Sequence, residues 1–257
     1  MVKYKYIKSS FENNSEFFEM YINSLSSTYD DFLEEHILGS DIYSIYMDEA
    51  HLGYFGIYKN KMLTQFVIPV SEARHAQTIF KDVLKTFEVK NAFAPTCDEL
   101  LLSLCLDNHK KINMQAYFFE HSGKLVRPAK YGKELLHQAT LDDLPEIISI
   151  TGDFIDRHEE RIKKGELYVL RENGEFLGMG VIVDNAIMKN CKGTGMFTNE
   201  KYRQKGVGRS IILHLKDICH VAGAEPIPGC WYYNHNSKRT LESAGYITKT
   251  RLLNIEF

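Results

Sequence analysis

The alternation of apolar and polar positions is clearest in the second half of the chain. Two apolar runs, at 167–170 and 176–183, flank the sequence ENGE, and Asn-Gly between such runs is a strong hairpin signal. A further strand is predicted at 193–198. Between 211 and 219, apolar side chains recur at helical spacing, which predicts an amphipathic helix that ends at Gly223. We therefore expect a hairpin, a third strand and a helix with one buried face.

Shorter elements are predicted on both sides of this region. Thr140 and the acidic residues after it can cap a helix that runs to Ile150, with Pro145 in its first turn. The other expected elements are a strand at 135–139, a polar helix from Asp156 to Lys164 closed by Gly165, a strand at 229–233, a helix at 237–243 and a terminal strand at 247–257. This mixture of strands and helices indicates an α/β fold with an α+β mixed sheet.

The first half of the chain repeats this order of elements with weaker signals. We predict strands at 54–58 and 62–68 around a turn at 59–61, a helix at 72–87, a strand at 89–94, a helix at 98–106 and a strand at 112–119. The order after residue 70 parallels the order after residue 203, which indicates an internal duplication. The polar segment from His121 to Lys130 is the best linker candidate, so domains are predicted at 1–130 and 131–257. The aromatic stretches at 43–46 and 54–58 are interpreted as core rather than as a ligand cage.

Composition narrows the classes of protein to consider. The 257 residues are 44% hydrophobic, enough for two cores, and the net charge of -3 provides no basic excess for binding nucleic acid. No apolar run approaches about 18 residues and the N-terminus does not resemble a targeting segment, so we expect a cytoplasmic protein that does not enter a membrane. Five cysteines without a C-x-x-C pair and ten scattered histidines predict free thiols and no metal site.

A glycine-containing turn between the strand at 193–198 and the amphipathic helix carries the strongest functional signal. It consists of Arg203, Gln204, Lys205, Gly206, Val207, Gly208 and Arg209. Its glycines allow close approach of the backbone to a ligand, and the free amides of a helix's first turn favour a phosphate. The expected ligand is a diphosphate, and the alternative is a structural turn that only begins the helix. Neither a P-loop nor the three-glycine dinucleotide fingerprint is present.

This turn resembles the Arg/Gln-x-x-Gly-x-Gly/Ala signature of the GNAT superfamily of acyl-CoA-dependent N-acyltransferases. The segment from Asn234 to Tyr246 is similar to that family's Asn-x-x-Ser helix, which ends in Gly-aromatic. The resemblance covers about residues 134–257 and implies the GNAT fold, with a V-shaped opening between two splayed strands. The matching turn of the first half, at 73–78, has no glycine. We therefore predict two tandem GNAT-like domains, of which the N-terminal copy is degenerate.

The resemblance also implies a reaction and a set of binding residues. The reaction is transfer of an acetyl group from acetyl-CoA, as co-substrate, to a primary amine of a small molecule or peptide, by direct attack in a ternary complex. Backbone groups of the strand would lie along the pantetheine arm, amides of the turn would hold the pyrophosphate, and two residues of the later helix would contact the arm. These residues are Met196, Phe197 and Thr198; Gln204 to Arg209 with the side chain of Arg203; and Asn234 and Ser237.

The catalytic positions of the family are not matched in this sequence. Many members place a Tyr where this chain has Leu241, and the strand at 191–198 contains no carboxylate that could act as a general base. Tyr232, His235 and Tyr246 are the nearest candidates. Of these we favour Tyr232 and His235, although a Tyr on a core strand is more often packing and a His at a helix start is more often solvated. The alternative function is a CoA-responsive binding or regulatory module without chemistry. The sequence leaves homodimer formation open.

Overall fold

The computed structural model describes residues 3–59 and 61–257. The chain forms two compact units. The first comprises the chain through Tyr117 together with Thr250–Phe257, and the second is Phe118–Lys249. The N-terminal dipeptide, and Asn60 of the predicted turn at 59–61, lie outside the described residues. Within those residues, no helix is long and apolar enough to cross a lipid bilayer.

The elements of each half follow a similar order along the chain. Up to residue 118 they are β1 (Tyr4–Ser9), α1 (Ser15–Ser24), α2 (Asp31–Leu38), β2 (Ser40–Met47), β3 (Ala50–Tyr58), β4 (Met62–Val67), α3 (Ala76–Thr86), β5 (Asn91–Pro95), α4 (Glu99–Asn108) and β6 (Lys111–Phe118). The remaining elements are β7 (Glu120–His121), β8 (Leu136–Gln138), α5 (Leu144–Thr151), α6 (His158–Lys163), β9 (Leu167–Glu172), β10 (Glu175–Asp184), β11 (Cys191–Thr198), α7 (Val207–Val221), β12 (Glu225–Trp231), α8 (His235–Ser243), β13 (Tyr246–Ile247) and β14 (Arg251–Glu256). The predicted mixed α/β fold is confirmed in both units.

The first unit is a mixed sheet in the order β1-β2-β3-β4-β5-β14-β6. The pairs β1–β2, β2–β3 and β3–β4 are antiparallel. The next pair, β4–β5, is parallel. The parallel pairing involves Met62 with Asn91 and Leu63 with Ala92, and no later pair occurs among the described residues. Both strands nevertheless continue, so they diverge toward Val67 and Pro95.

The C-terminal strand belongs to the first unit. Strand β14 pairs antiparallel with β5 and with β6, whereas β13 pairs with β7 in the second unit. The prediction of one strand over 247–257 within the second domain therefore differs from the structure, which has two strands in two units. Alternating side chains identify a strand but not its neighbours, because strand pairing is a long-range choice.

The second unit contains a sheet in the order β12-β11-β10-β9-β8. The β9–β10 hairpin turns at Asn173 and Gly174, both in the left-handed region with φ of +52° and +84°, as the Asn-Gly signal predicts. Thr140 and Asp143 form a reciprocal capping box, as predicted, at a short 3-10 turn (Leu141–Asp143) that leads into α5, and Pro145 lies in the first turn of α5. These local signals fix the ends of the elements that surround the site.

Two glycines on β10 set the position of α7. A side-chain carbon added at Gly180 would lie 2.9 Å from atoms of Ile211 and Leu215, and one at Gly178 would lie 2.9 Å from Ile211. Because neither glycine has a side chain, α7 lies close against the sheet. The first turn of this helix is thereby held at the end of β11.

The segment predicted to be a linker is part of the second unit. The Ser122 amide donates to the Gly245 carbonyl at 3.0 Å, and β7 begins the unit's small second sheet. The compact unit therefore begins at Phe118, whereas the predicted domain began at residue 131. The polar composition of this segment suggested exposure, and residues 123–128 are exposed, although the amides of Ser122 and Lys130 bond to the body of the unit.

Candidate active site

Strands β11 and β12 diverge and create a V-shaped opening in the second unit. Their parallel pairing covers Cys191–Thr194 with Glu225–Pro228, and no further pair occurs in the part of the chain that the structure describes. Beyond this point β11 stays attached to β10, with Met196 opposite Gly180 and Thr198 opposite Gly178. The outer main-chain edge of residues 195–198 therefore faces the opening.

The glycine turn lies at the end of β11 and leads into α7. Gln204 and Gly206 both have left-handed backbone angles, with φ of +62° and +86°. Gly206 is the N-cap of the 15-residue helix α7. The first main-chain hydrogen bond of α7 is donated by the Ser210 amide to the Gly206 carbonyl, at 3.1 Å. The amides of residues 207–209 precede it, and they have no partner within the helix because no turn lies before them.

This backbone arrangement suits an anion. Left-handed residues that alternate with ordinary ones turn successive amides toward one side, and the helix dipole adds a partial positive charge there. Neighbouring side chains pack closely around Gly206, because an added side-chain carbon would lie 3.2 Å from the Arg209 guanidinium and 3.3 Å from Lys130 Cβ. The turn can therefore hold a phosphate group through its main chain.

Ser210 ties this turn to an earlier part of the unit, a role that sequence reasoning missed. Its hydroxyl is fully buried, accepts hydrogen bonds from the amides of Lys130 (2.9 Å) and Tyr131 (3.1 Å), and donates to the Gly206 carbonyl (2.9 Å). One helix position earlier, the Arg209 guanidinium donates to the Pro128 carbonyl at 3.0 Å. A serine in the first turn of a helix carries no sequence signal for such a partner, since the partner lies about 80 residues away.

Family comparisons match both halves of the chain. Residues 10–122 match the description Acetyltransferase (GNAT) domain, and residues 131–246 match Acetyltransferase (GNAT) family. The chain is a tandem GNAT acetyltransferase. The family that the two sequence motifs resembled is therefore confirmed, and with it acyltransferase activity.

Solved structures resemble the whole of this GNAT protein. They include a GNAT-family acetyltransferase from Colwellia psychrerythraea, 18% identical over 99% of each chain with a TM-score of 0.85. A GCN5-related N-acetyltransferase from Sphaerobacter thermophilus is 10% identical over 98% of this chain and 95% of its own, with a TM-score of 0.67. A tandem GNAT protein from the clavulanic acid biosynthesis pathway is 10% identical over 98% of each chain, with a TM-score of 0.56. At these identities the likeness concerns the fold. Comparison with curated proteins gives no match.

The residues of the GNAT turn divide into packing and exposed positions. Val207 and Gly208 are buried, and a side-chain carbon at Gly208 would lie 3.0 Å from Thr198 Oγ1 and 3.2 Å from Thr240 Cγ2. Gly208 therefore allows α7 to pack tightly against β11 and α8. The two residues can offer a ligand their amides but not their side chains.

The basic side chains of the turn are exposed and already have local partners. Arg203 pairs with Glu200 at 3.0 Å, and the Lys205 ammonium lies 5.2 Å from the centre of the Tyr202 ring. Contacts of this exposed kind contribute little to stability, so these side chains can reorient toward an anion at low cost. The main chain, rather than the cations, is the fixed part of this site.

The second GNAT motif forms the start of α8. The Asn234 side chain accepts a hydrogen bond from the Ser237 amide at 3.0 Å, so Asn234 is the N-cap of the helix. The helix begins at His235, two residues earlier than predicted, and His235 is exposed in its first turn. Leu241, at the position where many family members place a Tyr, is buried with 1% exposure.

The two candidate catalytic side chains lie at the end of β12. Tyr232 lies in the turn after β12, which ends at Trp231, rather than on the strand where it was predicted. Its ring lies 5.2 Å from that of Tyr233. Tyr232 and His235 are three residues apart in the segment that joins β12 to α8. On β11, the Phe197 ring packs 5.3 Å from Phe154, a contact that the sequence did not predict.

Other reactive groups do not form a second centre in the described residues. No three His, Cys, Asp or Glu side chains come together in a metal-binding arrangement there. Cys191 and Cys230, on the two diverging strands, are half-buried, whereas Cys219 on α7 is fully buried. Burial raises the pKa of the Cys219 thiol to about 11, which keeps it protonated and unreactive at neutral pH.

Proposed function

We propose that the second unit binds acetyl-CoA and transfers its acetyl group to a primary amine of a small molecule or peptide. The observation that carries this proposal is the junction of three features. These are the left-handed turn at Gln204–Gly206, the first turn of α7 and the free edge of β11 beside the opening. If the amides of residues 206–209 bind the diphosphate, the pantetheine arm of the extended cofactor would lie beside the free edge of β11. There it could form hydrogen bonds with the main chain, as an added strand would.

The roles of the individual residues follow from this placement. Main-chain groups of Met196, Phe197 and Thr198 would pair with the pantetheine arm. Amides of the turn would bind the pyrophosphate, with Arg203 and Lys205 supplying mobile positive charge. Arg209, whose guanidinium donates to the Pro128 carbonyl, would add a fixed positive charge. Asn234 and Ser237 already hold each other at the start of α8, so their contribution would be to position that helix end beside the arm.

Acetyl transfer requires that the amine and the thioester be held in position and that protons can be transferred. Acetyl-CoA supplies a thioester whose carbonyl carbon accepts the amine. A protonated amine must first lose a proton, and its lone pair then forms the new C–N bond. The nitrogen gives up a second proton as the C–S bond breaks, and the leaving thiolate takes up one proton to become the CoA thiol. Tyr232 and His235 are the groups that would pass protons, directly or through water. Substitution of Tyr232 and His235, with kcat as the readout, distinguishes proton transfer from a packing role.

Only the second unit is proposed to bind the cofactor. In the first unit the corresponding helix α3 follows a short 3-10 turn at Val70–His75, which has no glycine and no residue with positive φ. That turn instead carries Glu72, whose carboxylate lies 3.6 Å from Arg74 and 3.7 Å from His75. An acidic side chain at this helix end competes with a phosphate for the same positive groups.

The test is release of CoA thiol from acetyl-CoA in the presence of a broad panel of primary amines. We expect release above the hydrolytic background with at least one amine, and equal molar amounts of acetylated product by mass spectrometry. Tyr232→Phe and His235→Gln should lower kcat if these groups pass protons, whereas Cys230→Ala should leave it unchanged because no acyl-cysteine forms. Release no faster than hydrolysis with every amine, despite acetyl-CoA binding, would favour the CoA-responsive module.

A further inference from the structure

The segment at 122–133 of the second unit is strongly basic. It contains no carboxylate and four cationic residues, Lys124, Arg127, Lys130 and Lys133. All four side chains are exposed, in a chain whose net charge is -3. Cations gathered in one exposed segment create a local positive potential that attracts an anionic ligand. The second unit therefore offers positive charge outside the GNAT turn.

Hydrogen bonds to α7 hold the part of this segment that carries Lys130. The Lys130 amide donates to Ser210 Oγ at 2.9 Å. The carbonyl of the next residue, Tyr131, accepts a hydrogen bond from Nε2 of the buried His214 at 2.7 Å. The main chain at Lys130 is therefore fixed against the helix, and the long side chain is the part that can move toward a ligand.

The Lys130 side chain passes over the glycine at which α7 begins. A side-chain carbon added at Gly206 would lie 3.3 Å from Lys130 Cβ and 3.4 Å from Lys130 Cδ. The ammonium group is two bonds beyond Cδ, so it lies within reach of an anion bound beside the turn. Its contact in the structure is the ring of Tyr131, whose centre is 5.5 Å from Nζ, and no carboxylate of the described residues pairs with it. Such an exposed cation–π contact is weak, so the ammonium can exchange it for a phosphate.

Lys130 approaches the start of α7 from the side opposite to β11. Gly208 packs against β11, since an added side-chain carbon there would lie 3.0 Å from Thr198 Oγ1, whereas Gly206 packs against Lys130. Positions two residues apart in a helix point about 200° apart, so the two contacts lie on opposite sides of the turn. If the pantetheine arm leaves the diphosphate toward β11, the adenosine end, which carries the 3′-phosphate, leaves toward Lys130.

We propose that Lys130 binds the 3′-phosphate of CoA and makes the site select CoA over 3′-dephospho-CoA. This role rests on the proposed function, because it requires the diphosphate to lie on the turn. A phosphate monoester carries a charge of about -1.5 to -2 at pH 7 and presents several strong acceptor oxygens. The lysine ammonium has only donors, so the two groups are complementary. The hydroxyl that replaces this phosphate in 3′-dephospho-CoA has no charge for Lys130 to bind.

The test is calorimetric titration of the full chain with CoA and with 3′-dephospho-CoA at low ionic strength. The parent should bind CoA about tenfold more tightly than 3′-dephospho-CoA. Lys130→Gln removes the charge and keeps most of the side-chain length. It should lose about tenfold in affinity for CoA and stay within about twofold of the parent for 3′-dephospho-CoA. Lys130→Arg keeps the charge and should retain the preference for CoA, and added salt should reduce that preference in the parent.

Lys124→Gln is the matched control, because it removes an exposed lysine from the same basic segment. The Lys124 carbonyl lies against Gly245, just after α8, rather than against the turn, so this variant should bind both ligands as the parent does. An equal loss for both ligands in Lys130→Gln would assign the lysine to the diphosphate and overturn the 3′-phosphate role. Unchanged affinity for CoA in folded Lys130→Gln would also overturn it, while leaving the proposed function intact. A parent that binds neither ligand would refute the proposed function and this role together.

Discussion

Ser210→Ala is the substitution whose cost follows most directly from the structure of the cofactor turn. The variant removes the acceptor of two main-chain amides, those of Lys130 and Tyr131, and the donor to the Gly206 carbonyl. The amide of Tyr131 is buried and would lose its acceptor without access to water, at a cost of about 1–3 kcal/mol. The other amide is partly exposed, so it adds about 1 kcal/mol. We expect a loss of about 2–4 kcal/mol in the free energy of unfolding of the second unit.

The assay is urea denaturation followed by the fluorescence of Trp231, the single tryptophan of the chain, which lies in the second unit. Ser243→Ala is the matched control, because the Ser243 hydroxyl makes one local bond, to the Thr240 carbonyl at 2.7 Å. The control should cost no more than about 0.5 kcal/mol. If Ser210→Ala destabilises no more than Ser243→Ala does, the tie between the turn and residues 130–131 is not significant and the reasoning is wrong.

Three further predictions concern stability and reactivity. Burial raises the pKa of Asp30 from 3.8 to about 8, so over this range the folded state holds a proton that the unfolded state releases. The free energy of unfolding should therefore fall as pH rises from about 4 to about 8. Asp30→Asn should flatten this dependence, as measured by denaturation series at pH 5 and pH 8. Leu241→Tyr should lower the unfolding free energy by about 1–3 kcal/mol without raising kcat, because the site is fully packed. In the native protein a thiol reagent should modify two cysteines by mass spectrometry, Cys191 and Cys230, and spare the buried Cys97, Cys105 and Cys219.

Local signals were the ones that the sequence predicted well. The Asn173-Gly174 hairpin and the Thr140 capping box appear as expected, because each depends on residues only two or three positions apart. The turn before α7 was also identified, since its glycine occupies a left-handed N-cap and its neighbours match a family motif. Hydrogen bonding and backbone conformation within a few residues are sufficient for such predictions.

Features that depend on distant partners could not be predicted. The placement of β14 between β5 and β6, and the bonds between Ser210 and residues 130–131, join parts of the chain far apart in sequence. Helices α1 and α2, of 10 and 8 residues, were not predicted at all. The tyrosines at 43–46 and 54–58 were interpreted as core. Tyr54 is indeed buried in the first unit.

The position of acetyl-CoA is tested most directly by adding a negative charge at Gly206. Asp and Asn tolerate left-handed backbone angles better than other residues with side chains, so Gly206→Asn controls for the change of shape. Gly223→Asp controls for charge at the other end of α7, where φ is +72° and an added side-chain carbon would meet no atom within 4 Å. Repulsion between Asp and a bound diphosphate should cost about 2 kcal/mol, or about 30-fold in Kd.

Isothermal titration calorimetry with acetyl-CoA on these three variants and the parent is the decisive measurement. We expect one site per chain, a loss of about 30-fold or more in affinity for Gly206→Asp, and affinities within about threefold of the parent for Gly206→Asn and Gly223→Asp. Circular dichroism confirms that each variant is folded. A parental Kd in folded Gly206→Asp, or an equal loss in Gly223→Asp, would contradict the assignment of the turn at 203–209 as the acetyl-CoA site.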